Sequence, residues 1–178
     1  MKIGIDLGGT KTEIAAFDDA GRELLRRRAA TPSGDYAATL ALIHRFVSEA
    51  EREIGATATV GMATPGAASP ATGLMRNSNS TCLNGQPLAR DLERVLGRPV
   101  RLANDANCFA LSEAVDGAAE GAHSVFGVIL GTGVGGGIVI NRQVIDGPNA
   151  IAGEWGHNPL PWPRDDERPG TEIGRAHV

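Results

Sequence analysis

The sequence predicts an α/β protein: a mixed sheet with helices on its faces, whose opening arrangement starts again late in the chain. Three observations carry this. Short apolar runs separated by glycine or turn residues occupy the first thirty positions. Segments with a helical three-and-four spacing of apolar residues then alternate with further short runs. After Gly121 a run, a glycine-rich turn and another run appear once more, in "HSVFGVILGTG" and "GGIVINRQVI".

Taken in order, Lys2–Leu7 and residues 12–17 read as strands, and the turn residues "DDAGR" join the second to a third, Glu23–Ala30. These form an antiparallel meander. Leu40, Ile43, Val47, Ala50 and Ile54 fall on one face of a helix spanning Tyr36–Ile54, with Thr31-Pro32-Ser33-Gly34 as the turn before it. A strand at 59–63, a Gly/Pro/Asn/Ser-rich loop to Gly85, a helix at 87–96, a strand at 100–102 and a helix opening near Ala106 follow. The order β-β-β-α-β-α-β-α suits a sheet with crossover helices. Residues 1–117 form a first lobe, 118–171 the start of a second, and 172–178 stand apart as a tail.

Bulk properties exclude several function classes. The 178 residues are 42% hydrophobic, enough for a core, and the formal charge is −4. The densest basic cluster, Arg26-Arg27-Arg28, lies in a predicted strand, so neither nucleic acid nor an anionic membrane is expected as a partner. No apolar run reaches the roughly 20 residues of a membrane span, and the start lacks a signal peptide's apolar region. A cytoplasmic location is expected. Cys82 and Cys108 have neither metal-pair spacing nor disulfide density and read as reduced thiols.

Candidate chemistry gathers at a few places. In "DLGGTK" an apolar strand ends in a carboxylate followed by two glycines. Gly8, Gly9 and Thr10 can present successive N–H groups to phosphate oxygens, as can Gly131, Thr132 and Gly133 in "GTGVGGG". Each turn alone is equally compatible with a tight hairpin that binds nothing. Together they suggest two turns facing each other across a nucleotide. Asp6 is too negative to touch phosphate and suits a hydrated Mg²⁺, while Lys11 adds a positive charge. In "RLANDANCFALSEA", Asn104 and Asp105 sit where a strand passes into a helix. Asp105 there is either a helix cap or a proton acceptor kept ionised by the helix N-terminus. Phosphoryl transfer asks no more than such a weak base. In "AGEWGHNPLPW", Glu154 suits sugar hydroxyls, and His157 suits a hydroxyl or a metal. Trp155 and Trp162 read as packing residues.

The motifs "DLGGTK", "ATPG", "NSNSTCLNG", "ANDANCFALSE", "GTGVGGG" and "GEWGHNPLP" resemble, in order, those of the ROK family of repressors and sugar kinases, and its bacterial fructokinase-like members in particular. The resemblance implies an actin-like, ribonuclease H-like ATPase fold, with a complete first lobe and a partial second one. It implies an ATP-dependent hexose kinase, fructose first, with Asp105 as catalytic base. Asn79, Asn104, Asp105, Glu154 and His157 would contact the sugar, and the glycine turns would hold ATP with Mg²⁺. It also implies a homodimer and, in full-length kinases, a structural zinc with His157 as one ligand. The cysteines that would complete that site do not follow His157 here, so this chain by itself is not expected to bind zinc. Without the rest of the second lobe, which would supply the adenine pocket and lobe closure, it is expected to have little or no activity. A sugar-sensing repressor without its DNA-binding part is the alternative. The ending "IGRAHV" follows no family pattern and matches a translated sequencing-library adapter, so 172–178 is expected to be non-native.

Overall fold

In β1 (Lys2–Leu7), Ile3, Ile5 and Leu7 are buried while Lys2, Gly4 and Asp6 are exposed, the period-two pattern of a strand with one covered face. The computed structural model describes residues 1–130, 134–156, 158–159, 161–162 and 164–165. Two units are present, Met1–Asp105 and Ala106–Val178.

In the first unit, β2 (Lys11–Phe17) pairs antiparallel with β1 and with β3 (Glu23–Ala30), giving the expected meander. Asp18 shapes the β2–β3 turn, its Oδ1 accepting the N–H groups of Ala20 and Arg22 at 2.9 Å. Helix α1 (Tyr36–Ile54) begins after Asp35, whose carboxylate accepts the Ala38 N–H, and ends at Gly55 in the left-handed conformation. Then come β4 (Thr59–Thr64), the short pair β5 (Ala67–Ala68) and β6 (Met75–Arg76), a 3₁₀ turn (Thr81–Leu83), α2 (Leu88–Leu96) and β7 (Val100–Asn104). Strands β4 and β7 add to β1 in parallel, giving the sheet order β3-β2-β1-β4-β7.

Apolar burial on one face of this sheet holds the unit together. Ile3, Ile5 and Leu7 join Ile43, Phe46 and Val47 of α1 and Leu88 and Leu92 of α2 in one core. The buried stripe of α1 is Thr39, Leu42, Ile43, Phe46, Val47 and Ala50. Leu40 and Ile54, expected on this face, lie at its margin. A helix lying flat on a sheet buries a stripe more than one residue wide, which brings in Leu42 and Phe46. The loop expected between 64 and 85 is also more ordered than its composition suggested. Buried Met75 and Leu83 anchor it, and Met75 exchanges backbone bonds with Gly85 and Gln86 at 2.8 and 2.9 Å.

The basic cluster of β3 is neutralised. Arg26 and Arg28 both pair with Glu13 on β2, and Arg27 on the opposite face pairs with Glu49 and Glu53 of α1. Charges of this kind on an edge strand also discourage pairing with another chain.

The second unit contains α3 (Asp105–Asp116, Asp105 itself closing the first unit) and a sheet in the order β10-β9-β8: β8 (Ser124–Leu130), β9 (Val134–Ile140) and β10 (Gln143–Val144). Its core is small, centred on Ala110, Ala114 and Val139. Phe126, Val128 and Leu130 alternate along β8 as exposed side chains. No helix among the described residues is long and apolar enough to cross a membrane.

Candidate functional site

Three neighbouring parallel strands bring the first unit's candidate residues to one edge of the sheet. Asp6 of β1 is level with Ala63 of β4, which is level with Ala103 of β7; Thr64 and Asn104 are the next pair. The chain then leaves β1 into Gly8-Gly9, β4 into Pro65-Gly66 and β7 into Asp105. These are the carboxyl ends of parallel strands, where open α/β sheets bind ligands.

The Gly8–Lys11 turn is pinned from one side. Gly8 N–H donates to the Lys11 carbonyl at 3.0 Å, so this N–H, expected to face phosphate, is already engaged. The Gly8 carbonyl accepts from Thr31 Oγ1 at 2.7 Å, and the Thr10 carbonyl from Thr31 N–H at 3.0 Å. Thr31 Oγ1 also lies 2.8 Å from buried Thr12 Oγ1. With the Thr31 proton spent on Gly8, Thr12 is the donor of that pair. The N–H groups of Gly9 and Thr10 have no acceptor among the described residues and form the available part of the cradle. The threonine pins were not foreseen, because nothing local in sequence links Thr31 to a turn twenty residues earlier.

Asn104 is 5% exposed, and its Nδ2 donates to the Gly66 carbonyl at 3.2 Å. Its amide therefore ties the end of β7 to the "ATPG" loop. Gly66 has to be glycine: its φ is +73°, and a Cβ would lie 2.3 Å from the Arg76 carbonyl oxygen. Asn79 is exposed and hydrogen-bonded to no described residue. Asn84 fixes the loop carrying it, accepting the Ser78 N–H at 2.9 Å and donating to the Ser78 carbonyl at 3.0 Å. Asn84 lies in a quoted motif, yet its role as a clamp becomes visible only with the loop closed.

The charge balance fits a cation beside an anion. Asp6 is open to solvent on one side but crowded on others. Desolvation first, then the charges of Asp105 and of Glu13 directly opposite it on β2, push its pKa up against the opposing pull of Arg28. A carboxylate that gains little from its protein surroundings suits a divalent ion such as Mg²⁺, and the open N–H groups of Gly9 and Thr10 suit phosphate oxygens. Glu13 is itself held below the usual carboxylate range, chiefly by its hydrogen bond from Arg26 and also by Arg28.

In the second unit, Gly131, Thr132, Gly133 and His157 lie outside the described residues. So does the tail 172–178. Glu154 is half-buried with its carboxylate against β9; a Cβ at Gly135 would come within 3.1 Å of its Oε1. Trp155 donates from Nε1 to the Gly135 carbonyl at 3.1 Å and meets Phe126 edge to face at 6.4 Å, the packing role expected of it. Trp162 is 93% exposed and does not pack as expected. Asn107 of α3 donates to Asp146 Oδ1 at 3.1 Å, tying the helix to the loop that leads into the Glu154 segment. Among the described residues no three or more His, Cys, Asp or Glu side chains gather as a metal site.

Comparison with known proteins now adds to the geometry. The chain matches the ROK family over residues 2–174. It is 42% identical over 161 residues to an N-acetyl-D-glucosamine kinase of Yersinia pestis, covering 90% of this chain and 63% of the relative. A ROK hexokinase from Thermus thermophilus superposes with a TM-score of 0.78 at 36% identity, covering 90% of this chain and 53% of the other. A ROK glucokinase from Streptomyces griseus, solved with glucose and AMPPNP, gives 0.76 at 31% identity, covering 90% and 51%. The chain thus spans between half and two-thirds of the length of such relatives. Its α/β architecture is the actin-like, ribonuclease H-like fold of these sugar kinases. The ordered motifs and the match along nearly the whole chain together make this protein a member of the ROK family.

Proposed function

We propose that the full-length protein transfers the γ-phosphoryl group of ATP to a hydroxyl of a hexose, with N-acetyl-D-glucosamine as the first acceptor to test. The observation that carries this reading is the convergence of Asp6, the open N–H groups of Gly9 and Thr10, and Asp105 at the carboxyl ends of parallel strands. The choice of acceptor draws on the Yersinia kinase. Fructose, expected first from the resemblance to fructokinase-like members of the family, becomes the second acceptor, followed by glucose and mannose.

In this reading each residue has a defined task. Gly9 and Thr10 donate to phosphate oxygens, and Lys11, exposed at the start of β2, adds positive charge beside them. Gly8 shapes the turn through its bond to Lys11. Asp6 would hold magnesium, whose charge would make this carboxylate compatible with a polyphosphate. Asp105, the first residue of α3, accepts the proton of the attacking hydroxyl. Asn79 hydrogen-bonds a sugar hydroxyl, and Asn104 braces the surrounding loop. By resemblance, Glu154 and His157 complete the sugar contacts, and Gly131, Thr132 and Gly133 the nucleotide contacts. Most of the catalytic effect is positioning and electrostatics, as phosphoryl transfer allows.

ADP release measured with the full-length protein, without sugar and with each sugar in turn, tests the reading. ADP release stimulated most by N-acetyl-D-glucosamine is expected. Release indifferent to every sugar would remove the kinase assignment, and a preference for fructose would restore the acceptor expected from sequence.

A further inference from the structure

Ser80 stands at the N-cap of the 3₁₀ turn Thr81–Leu83, where a serine hydroxyl ordinarily accepts a backbone N–H of the first turn. It makes no such bond. Its Oγ is instead buried without a hydrogen-bond partner among the described residues, and it lies 3.3 Å from the position a Cβ would take on Gly9. The loop holds it there: Ser80 N–H donates to Ser78 Oγ at 3.1 Å, and Asn84 clamps Ser78 on both sides of its backbone. A buried hydroxyl that forgoes an adjacent cap is costly to the free protein, and hydroxyls left in this state call for a function. This one adjoins Gly9, whose N–H also lacks an acceptor among the described residues.

We propose that Ser80 is a third donor to the anion held at Gly9–Thr10, its hydroxyl hydrogen-bonding an oxygen of the terminal phosphate during transfer. The inference rests on the kinase reading above and adds to it a residue from the sugar-side loop. It makes that loop a sensor of the phosphate: Asn79 addresses the acceptor while its neighbour Ser80 addresses the donor. Two adjacent residues on one clamped loop would then fix the two reactants relative to each other.

The test uses Ser80→Ala and Ser80→Thr in the full-length protein. Alanine is expected to lower kcat about tenfold, the effect of one hydrogen bond. The sugar KM should stay unchanged and Tm unchanged or raised, since a buried unpaired group has been removed. Threonine, which keeps the hydroxyl, should recover most of the rate. Magnesium tripolyphosphate titrated calorimetrically should bind about tenfold more weakly to the alanine variant. An alanine variant with unaltered kcat and tripolyphosphate affinity would make Ser80 a packing residue and overturn the proposal. So would a rise in sugar KM alone, or a threonine variant no better than alanine at unchanged Tm. If the wild-type protein shows no sugar-stimulated turnover, the kinase reading fails by itself, and the tripolyphosphate titration still decides Ser80.

Discussion

Gly9 of the β1–β2 turn and Gly137 of β9 occupy similar stretches of sequence but opposite surroundings. At Gly9 the backbone is exposed, its N–H is open, and an added Cβ would meet only Ser80 Oγ at 3.3 Å. At Gly137 an added Cβ would lie 2.5 Å from the Ala106 carbonyl oxygen and 2.9 Å from the Ala110 Cβ of α3. The chain segment at Gly153 approaches β9 as closely, a Cβ there lying 2.7 Å from the Gly137 Cα. One glycine leaves the backbone free to bind; the other lets helix, strand and loop come together. Glycine-rich composition therefore reports either ligand approach or close packing, and the neighbours decide which.

Substitutions should separate the two regions, one failing in rate and the other in stability. The largest effect is expected from Asp105→Asn beside the first region, which removes the proposed proton acceptor and should lower kcat of the full-length protein about 10²–10⁴-fold with the far-UV circular dichroism unchanged. Gly137→Ala comes next. Backbone and helix must shift to admit the methyl, which should cost about 3 kcal/mol by urea unfolding. Gly9→Ala should cost under about 1 kcal/mol while weakening magnesium tripolyphosphate binding. Equal losses of stability at positions 9 and 137 would erase the contrast.

Electrostatics gives two smaller tests. Glu51 is pushed up by desolvation, but the hydrogen bond from Arg98, the Ala58 N–H and the Arg98 charge outweigh this and hold its pKa below the ordinary value of 4.5. Its stabilising contribution is therefore complete above that value and is lost as pH falls through the folded-state pKa. Glu51→Gln should cost about 1 kcal/mol at pH 7 and much less in acid, as read from urea midpoints against pH. Asp6 has the reverse sign. Its raised pKa makes the folded chain hold the proton more tightly than the unfolded chain, so its contribution is most favourable below the ordinary value of 3.8 and is lost as pH rises through the folded value. At neutral pH its charge opposes folding, and Asp6→Asn should raise Tm slightly while abolishing magnesium-dependent nucleotide binding. A lower Tm would show that Asp6 has a stabilising partner and would remove the electrostatic argument for a cation there.

Much of the first unit was legible because its elements are governed by local chemistry. The alternation in β1, the turn residues of "DDAGR" and the helical spacing between Tyr36 and Ile54 all place apolar side chains with a definite period. The positions of Asp6 and Asp105 at strand ends were also legible, since each is a carboxylate at the end of an apolar run. Thr31, Asn84 and Ser80 were not. Their roles depend on partners that approach only when strands are in register or a loop has closed, and a polar residue in a polar loop carries no mark of its partner. The width of the buried stripe on α1 escaped for a similar reason: periodicity gives the centre of a face, while the opposing surface sets its edges.

By itself the sequence determined the alternation of strands and helices, the positions of the candidate carboxylates and, through its ordered motifs, the ROK family. These follow from residue type and spacing along one chain. Tertiary structure decided which N–H groups of the glycine turn remain open, which glycines serve packing, and that Asn104 braces a loop from a buried position. A hydrogen bond or a steric contact belongs to a pair of groups, and folding alone brings residues such as Gly8 and Thr31 together.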